Sequence, residues 1–145
     1  MIKNYKEVNI LLVEDDDIDA KLVEREFRKL KLANPIYRAK NGVEALEILQ
    51  GKKGEQNTVT RPYIVLLDLN MPIMGGLEFL HAIRNDSLLE DSVVFVLTTS
   101  SADEDRVAAY HKHVAGYIVK SDVKDSFPKV IEMLDHYWQV VLLPA

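Results

Sequence analysis

Glu14, Asp15, Asp16, Asp17 and Asp19 place five carboxylates in six residues, directly after the apolar run Asn9 to Val13. Elsewhere a single acid, Asp68, interrupts the apolar stretch YIVLLDLNMP, while Thr98 and Lys120 stand at the ends of the stretches FVLT and GYIVK. A carboxylate inside an apolar strand is costly unless something pairs with it. Carboxylates that converge repel one another, and each then favours either protonation or a hard cation with oxygen ligands. Magnesium suits a few carboxylates, a backbone carbonyl and waters. With the Thr98 hydroxyl and the Lys120 ammonium facing it, such a set can hold the oxygens of a transferring phosphoryl group, with Asp68 as the nucleophile.

The acidic run has two plainer readings. Asp15, Asp17, Asp19 and Glu26 fall at positions one, three, five and twelve of a calcium loop. Position six, however, is Ala20, where the sharp turn requires a glycine, and the preceding segment reads as strand rather than helix. Acids in a helix's first turn also favour its positive dipole end, and Asp17 and Asp19 are read that way. Asp16 stands between this role and the metal site.

These residues need elements to carry them. Apolar runs of strand length cover Val8 to Val13, Ile36 to Ala39, Tyr63 to Leu69, Val93 to Leu97 and Gly116 to Val119, and their continuous apolarity predicts burial on both faces. Between them the period becomes helical. Ile18, Leu22, Val23, Phe27 and Leu30 form one stripe, Val43, Leu46 and Leu49 a second, and Leu77, Leu80 and Ile83 a third. Val107, Ala108, Tyr110, His111 and Val114 predict a fourth helix, opened by Ser101 with Glu104 as a capping box. Phe127, Val130, Ile131, Leu134, Trp138 and Val141 mark the last, behind a Ser126 cap and with Pro128 in its first turn. Strands alternating with helices force right-handed crossovers, hence a doubly wound α/β domain with a five-stranded parallel sheet and five helices. Ligands of such sheets sit beyond the strands' carboxyl ends, where Glu14, Asp15, Asp68, Thr98 and Lys120 all fall.

The whole chain bounds the function further. Its 145 residues predict one domain over 1–145, with 48% hydrophobic content to supply the core. A polar extension is expected over 51–62 and an apolar tail over 139–145. The run Val140 to Leu143 has more apolar surface than one domain needs, which points to a homodimer contact. A formal charge of -5 argues against a nucleic-acid partner. Cysteine is absent, which excludes disulfides and thiolate sites and fits a reducing cytoplasm. Neither a signal peptide nor a membrane span is legible. His111 and His113 are two apart and face different sides of a helix, so they do not form a metal pair.

The motifs ILLVEDD, LLDLNMPIMGG, VLTTS and GYIVK resemble those of the receiver domains of two-component response regulators, over nearly the whole chain. The resemblance implies a flavodoxin-like sheet of order 2-1-3-4-5 and a phosphoryl group passed to Asp68 by a sensor histidine kinase. It also implies that Glu14, Asp15 and Asp68, with the backbone carbonyl of Asn70, hold Mg2+. Thr98 and Tyr117 would be the switch pair, and Lys120 would pair with the phosphate. The wording LDLNMPIMGGLEFL is similar to that of the single-domain regulators that serve bacterial phytochromes. One departure stands out: receivers usually follow the lysine with a proline in a cis peptide bond, and here Ser121 follows Lys120.

Other classes fit less well. A phosphohydrolase working through an aspartyl phosphate needs a second Asp two residues after the nucleophile, where this chain has Asn70, so turnover is not expected. A nucleotide-binding domain needs a glycine-rich loop after the first strand, and VEDDDID has none. The remaining alternative is a receiver-like adaptor that works without phosphorylation.

Overall fold

The computed structural model describes residues 8–51 and 58–145. Its elements alternate as the apolar patterning requires. In chain order they are β1 (Asn9–Val13), α1 (Asp17–Lys29), β2 (Ile36–Ala39), α2 (Gly42–Gln50) and β3 (Tyr63–Leu67). They continue with α3 (Gly76–Arg84), β4 (Val93–Thr98), α4 (Asp103–His111), β5 (Gly116–Val119) and α5 (Phe127–Val140). All five strands are parallel, in the order β2-β1-β3-β4-β5. This is the doubly wound, flavodoxin-like arrangement that the sequence predicts.

Alternate strand residues serve two cores. Leu11, Val13, Val65, Leu67, Val94 and Val96 face α2, α3 and α4, where Phe79, Leu80, Ile83 and Ala109 close the layer. Ile10, Leu12, Ile64, Leu66, Phe95 and Leu97 face α1 and α5, where Phe27 stacks on Trp138 at 6.1 Å and Tyr137 meets Phe95 edge-on. The central strands β1 and β3 are buried along their whole length, whereas the edge strands β2 and β5 are only partly covered. Burial on both faces is therefore a property of position in the sheet, which apolarity alone overstates at the edges.

Asp17 to Lys29 is helix, in line with the sequence argument against a calcium loop. Several local expectations are corrected. Of the α1 stripe, Val23 and Phe27 are buried but Ile18 and Leu22 are exposed. The helix α4 is phased differently from its predicted stripe: Ala109 is its buried residue and Val107 and Tyr110 face outward. Ser101 does not cap α4. Its N-cap is Ala102, which makes no side-chain cap bond, and the Ser100 hydroxyl instead accepts from the Ala102 amide at 3.4 Å and donates to Asp105 at 2.6 Å. Ser126 is the N-cap residue of α5 and Pro128 lies in the first turn, but the Ser126 hydroxyl donates back to the Val123 carbonyl and makes no cap bond. Val141 is extended and lies beyond the helix. In the predicted extension over 51–62, residues 52–57 lie outside the described residues, while Val59 is buried and Arg61 bonds Asp91 and the Leu88 carbonyl. In the apolar tail Val140 and Leu142 are exposed, and Leu143 packs back on the α1/α5 core.

Phe79 is fully buried where α3 packs on the sheet. Phe79→Ala is expected to lower the unfolding free energy by about 3–5 kcal/mol, read from the urea midpoint.

Candidate functional site

Five of the predicted site residues lie at the carboxyl edge of the sheet, one or two steps beyond a strand or at its last residue, whereas Tyr117 lies within β5 and Asn70 three residues beyond β3. Glu14 and Asp15 follow β1, Asp68 follows β3, Thr98 ends β4 and Lys120 follows β5. Backbone bonds fix these positions: the Glu14 amide donates to the Ala39 carbonyl, the Asp68 amide to Val13 and the Lys120 amide to Thr98. Asp68 thus stands just past the strand rather than within it. Its loop continues closely packed into α3, because a Cβ at Gly76 would lie 2.6 Å from both the Asp68 carbonyl oxygen and the Leu69 Cα.

The side chains converge. Asp68 accepts from the fully buried Thr98 hydroxyl at 2.8 Å and from the Asn70 amide at 3.2 Å. Lys120 Nζ is hydrogen-bonded to Glu14, donates to Asp19 at 2.9 Å and lies 3.9 Å from Asp68. Oxygens of Glu14, Asp15 and Asp68 lie within 4.8 Å of one another, and this is the one carboxylate group of its kind among the described residues. Glu14 and Asp68 are buried and Asp15 is exposed, so the group opens to solvent on one side. Hard oxygen donors at this separation, one of them reachable from water, suit a divalent cation. The Lys120–Ser121 peptide is trans, the cis bond among the described residues being Arg61–Pro62. Without the bend that a cis proline gives, Lys120 still reaches the pocket.

Burial pushes the Glu14 carboxyl up to about 8, and its hydrogen bond and charge repulsion with Asp68 add to the rise, while Lys120 opposes it. For Lys120, burial works against the ammonium, but its hydrogen bonds to Glu14 and Asp19 outweigh that and lift it above the ordinary lysine value. Thr98 and Tyr117 both touch Ser100. The Thr98 hydroxyl accepts from the Ser100 amide at 3.3 Å, and the Tyr117 hydroxyl donates to the Ser100 carbonyl at 3.0 Å. The Asn70 side chain donates to Thr99 at 3.3 Å.

The crowded acidic run is resolved by partners that local spacing does not reveal. Asp16 is the N-cap of α1, accepting from the Ile18 and Asp19 amides at 2.8 and 3.0 Å, so it serves the helix and not the carboxylate group. Asp17 and Asp19 do more than answer the helix dipole. Arg38, on β2, donates to Asp17 at 2.6 Å and to the backbone carbonyls of Glu14 and Asp15 at 3.0 to 3.2 Å. Asp19 meets Lys120 from 101 residues away in sequence. Arg38 is a site-shaping residue that sequence reasoning misses; its signal is a cation inside the otherwise uncharged strand IYRA.

The fold and the strand-end pocket together define a receiver-class, flavodoxin-like domain. The family model of the response regulator receiver domain matches residues 10–132. The response regulator Rcp1 of Synechocystis sp. is 37% identical over 138 residues, covering 94% of this chain and 92% of that protein. The solved Mn2+-bound form of Rcp1 superposes with a TM-score of 0.83 at 34% identity, over 95% of this chain and 99% of the other. The solved phosphorylated cyanobacterial phytochrome response regulator RcpA gives a TM-score of 0.84 at 31% identity, over 96% and 99%. The chain belongs to the response regulator receiver domain family, a family of signalling proteins, and is related to phytochrome response regulators.

The raised Glu14 carboxyl has a pH signature. Between about 4.5 and 8 the folded chain keeps a proton that the unfolded chain has lost, so the unfolding free energy falls as pH rises through that window. Urea midpoints of the cation-free protein are expected to drop from pH 5 to pH 8, and Glu14→Gln is expected to flatten that slope.

Proposed function

We propose that this receiver takes a phosphoryl group on Asp68 from a sensor histidine kinase of the phytochrome-associated kind, and that the modified pocket changes the surface offered to a partner protein. The observation that supports this most directly is the convergence of Thr98, Lys120 and the Glu14–Asp15–Asp68 group on one buried carboxylate. One Asp68 oxygen accepts the Thr98 hydroxyl, and the other is the oxygen facing Lys120. The second oxygen attacks the phosphorus of the donor, an O–P bond forms, and the donor leaves with the electron pair of the bond that breaks.

Glu14, Asp15, Asp68 and the Asn70 carbonyl would hold Mg2+, which supplies positive charge against the phosphoryl oxygens. Lys120 brings its ammonium to the same oxygens, and the Thr98 hydroxyl can turn from Asp68 toward them. Because Thr98 and Tyr117 both bond Ser100, a move by the threonine alters what holds the tyrosine. A local change of almost two negative charges then biases the surface around β4, α4 and β5. This is a binding module, with its own residues assisting phosphotransfer, rather than a turnover enzyme. On the same reading it works in the cytoplasm, and the exposed residues Val140 and Leu142 make a homodimer contact its natural assembly.

The reading predicts a mass gain of one phosphoryl group when the intact protein is incubated with a small acyl phosphate. The gain should require Mg2+, should vanish in Asp68→Ala and should fall at least about tenfold in Lys120→Ala. Intact-protein mass spectrometry reads it, and a parent chain that never gains mass would remove the phosphoacceptor role.

A further inference from the structure

Lys120 faces three carboxylates, and they are not equivalent. Glu14 and Asp68 belong to the group whose oxygens lie within 4.8 Å of one another, together with Asp15. Asp19 lies outside that group, in the first turn of α1, where its side chain is partly exposed and accepts from Lys120 at 2.9 Å. Its place is fixed from both sides. The Asp16 side chain accepts from the Asp19 amide, and Arg38 draws Asp17 aside toward β2, so Asp19 alone of the first-turn acids is left facing β5.

A cation that takes Glu14 and Asp68 competes with the Lys120 ammonium for the same oxygens. Two cations sharing a small pocket repel, and the repulsion is lessened when the ammonium keeps a carboxylate of its own. Before the cation arrives, Lys120 divides its hydrogen bonds between Glu14 and Asp19; afterwards Asp19 is the partner that the cation does not claim. Building on the Mg2+-assisted reading above, we propose that Asp19 is a positioning residue that retains the Lys120 ammonium when a divalent cation occupies Glu14 and Asp68, letting both cations occupy the pocket together.

The test is a double-mutant cycle on Mn2+ binding, followed by electron paramagnetic resonance and repeated for Mg2+ by competition. Asp19→Asn is expected to raise the Mn2+ Kd by about fivefold in the parent chain but by less than about twofold in the Lys120→Met background, because the effect runs through the lysine. Asp19→Glu, which keeps the carboxylate, should stay within about twofold of the parent. An equal loss in both backgrounds would reveal a plain through-space field and overturn the proposal, as would an unchanged Kd in Asp19→Asn. A parent chain that binds no Mn2+ would overturn the cation-assisted reading together with this inference. Normal parent binding with an inert Asp19 would overturn the inference alone.

Discussion

Burying the Glu14 carboxyl at the end of β1 is the constraint to which the rest of the pocket responds. A carboxylate taken out of water loses hydration that must be replaced by charge and hydrogen bonds. Lys120 supplies the nearest such charge, arriving from the far side of β3 and β4. Lys120 is held there by the bond from its amide to the Thr98 carbonyl. The β1–α1 turn is braced separately: Arg38 grips the carbonyls of Glu14 and Asp15 while the Glu14 amide is held by Ala39. A charge-assisted bond to a carbonyl is stronger than a neutral one, so this edge-strand arginine is a firm brace for residues that repel one another.

The parallel sheet explains how so few residues can be brought together from so many places in sequence. Four strands bring their last residue or the one after it to the same edge, so Glu14, Asp68, Thr98 and Lys120 meet without long loops. The residues just beyond each strand then determine the chemistry. After β3 the chain must turn tightly enough that Gly76 approaches the Asp68 carbonyl, and an added methyl there would collide with backbone that cannot move independently of Asp68. The first residue of α3 is thereby packed against the backbone of Asp68 and Leu69.

Much of this is legible in the residues alone. Alternating apolar runs and helical stripes define the fold, and strand-end chemistry singles out Asp68, Thr98 and Lys120. Other features are hidden for physical reasons. The phase of α4 is obscured because Val107 and Tyr110, apolar enough to suggest a core, face outward while the small Ala109 faces inward. Asp17 and Asp19 look like ordinary first-turn acids because their partners, Arg38 and Lys120, are 21 and 101 residues distant. Local spacing reports a helix start well and says nothing of which cation the fold will bring alongside. The role of Ser100 is masked for a similar reason: Ser101 and Glu104 satisfy the capping pattern, yet the chain uses the neighbouring hydroxyl.

Ser100 itself carries a consequence. Its amide is engaged by Thr98, its carbonyl by Tyr117 and its hydroxyl by Asp105 at the head of α4. A single residue is therefore tethered by every polar atom it owns to a different part of the molecule. Such a residue behaves like the pivot of a balance. The buried threonine, the tyrosine of β5 and the head of α4 thus meet on one residue, and the proposed switch would run through these three bonds.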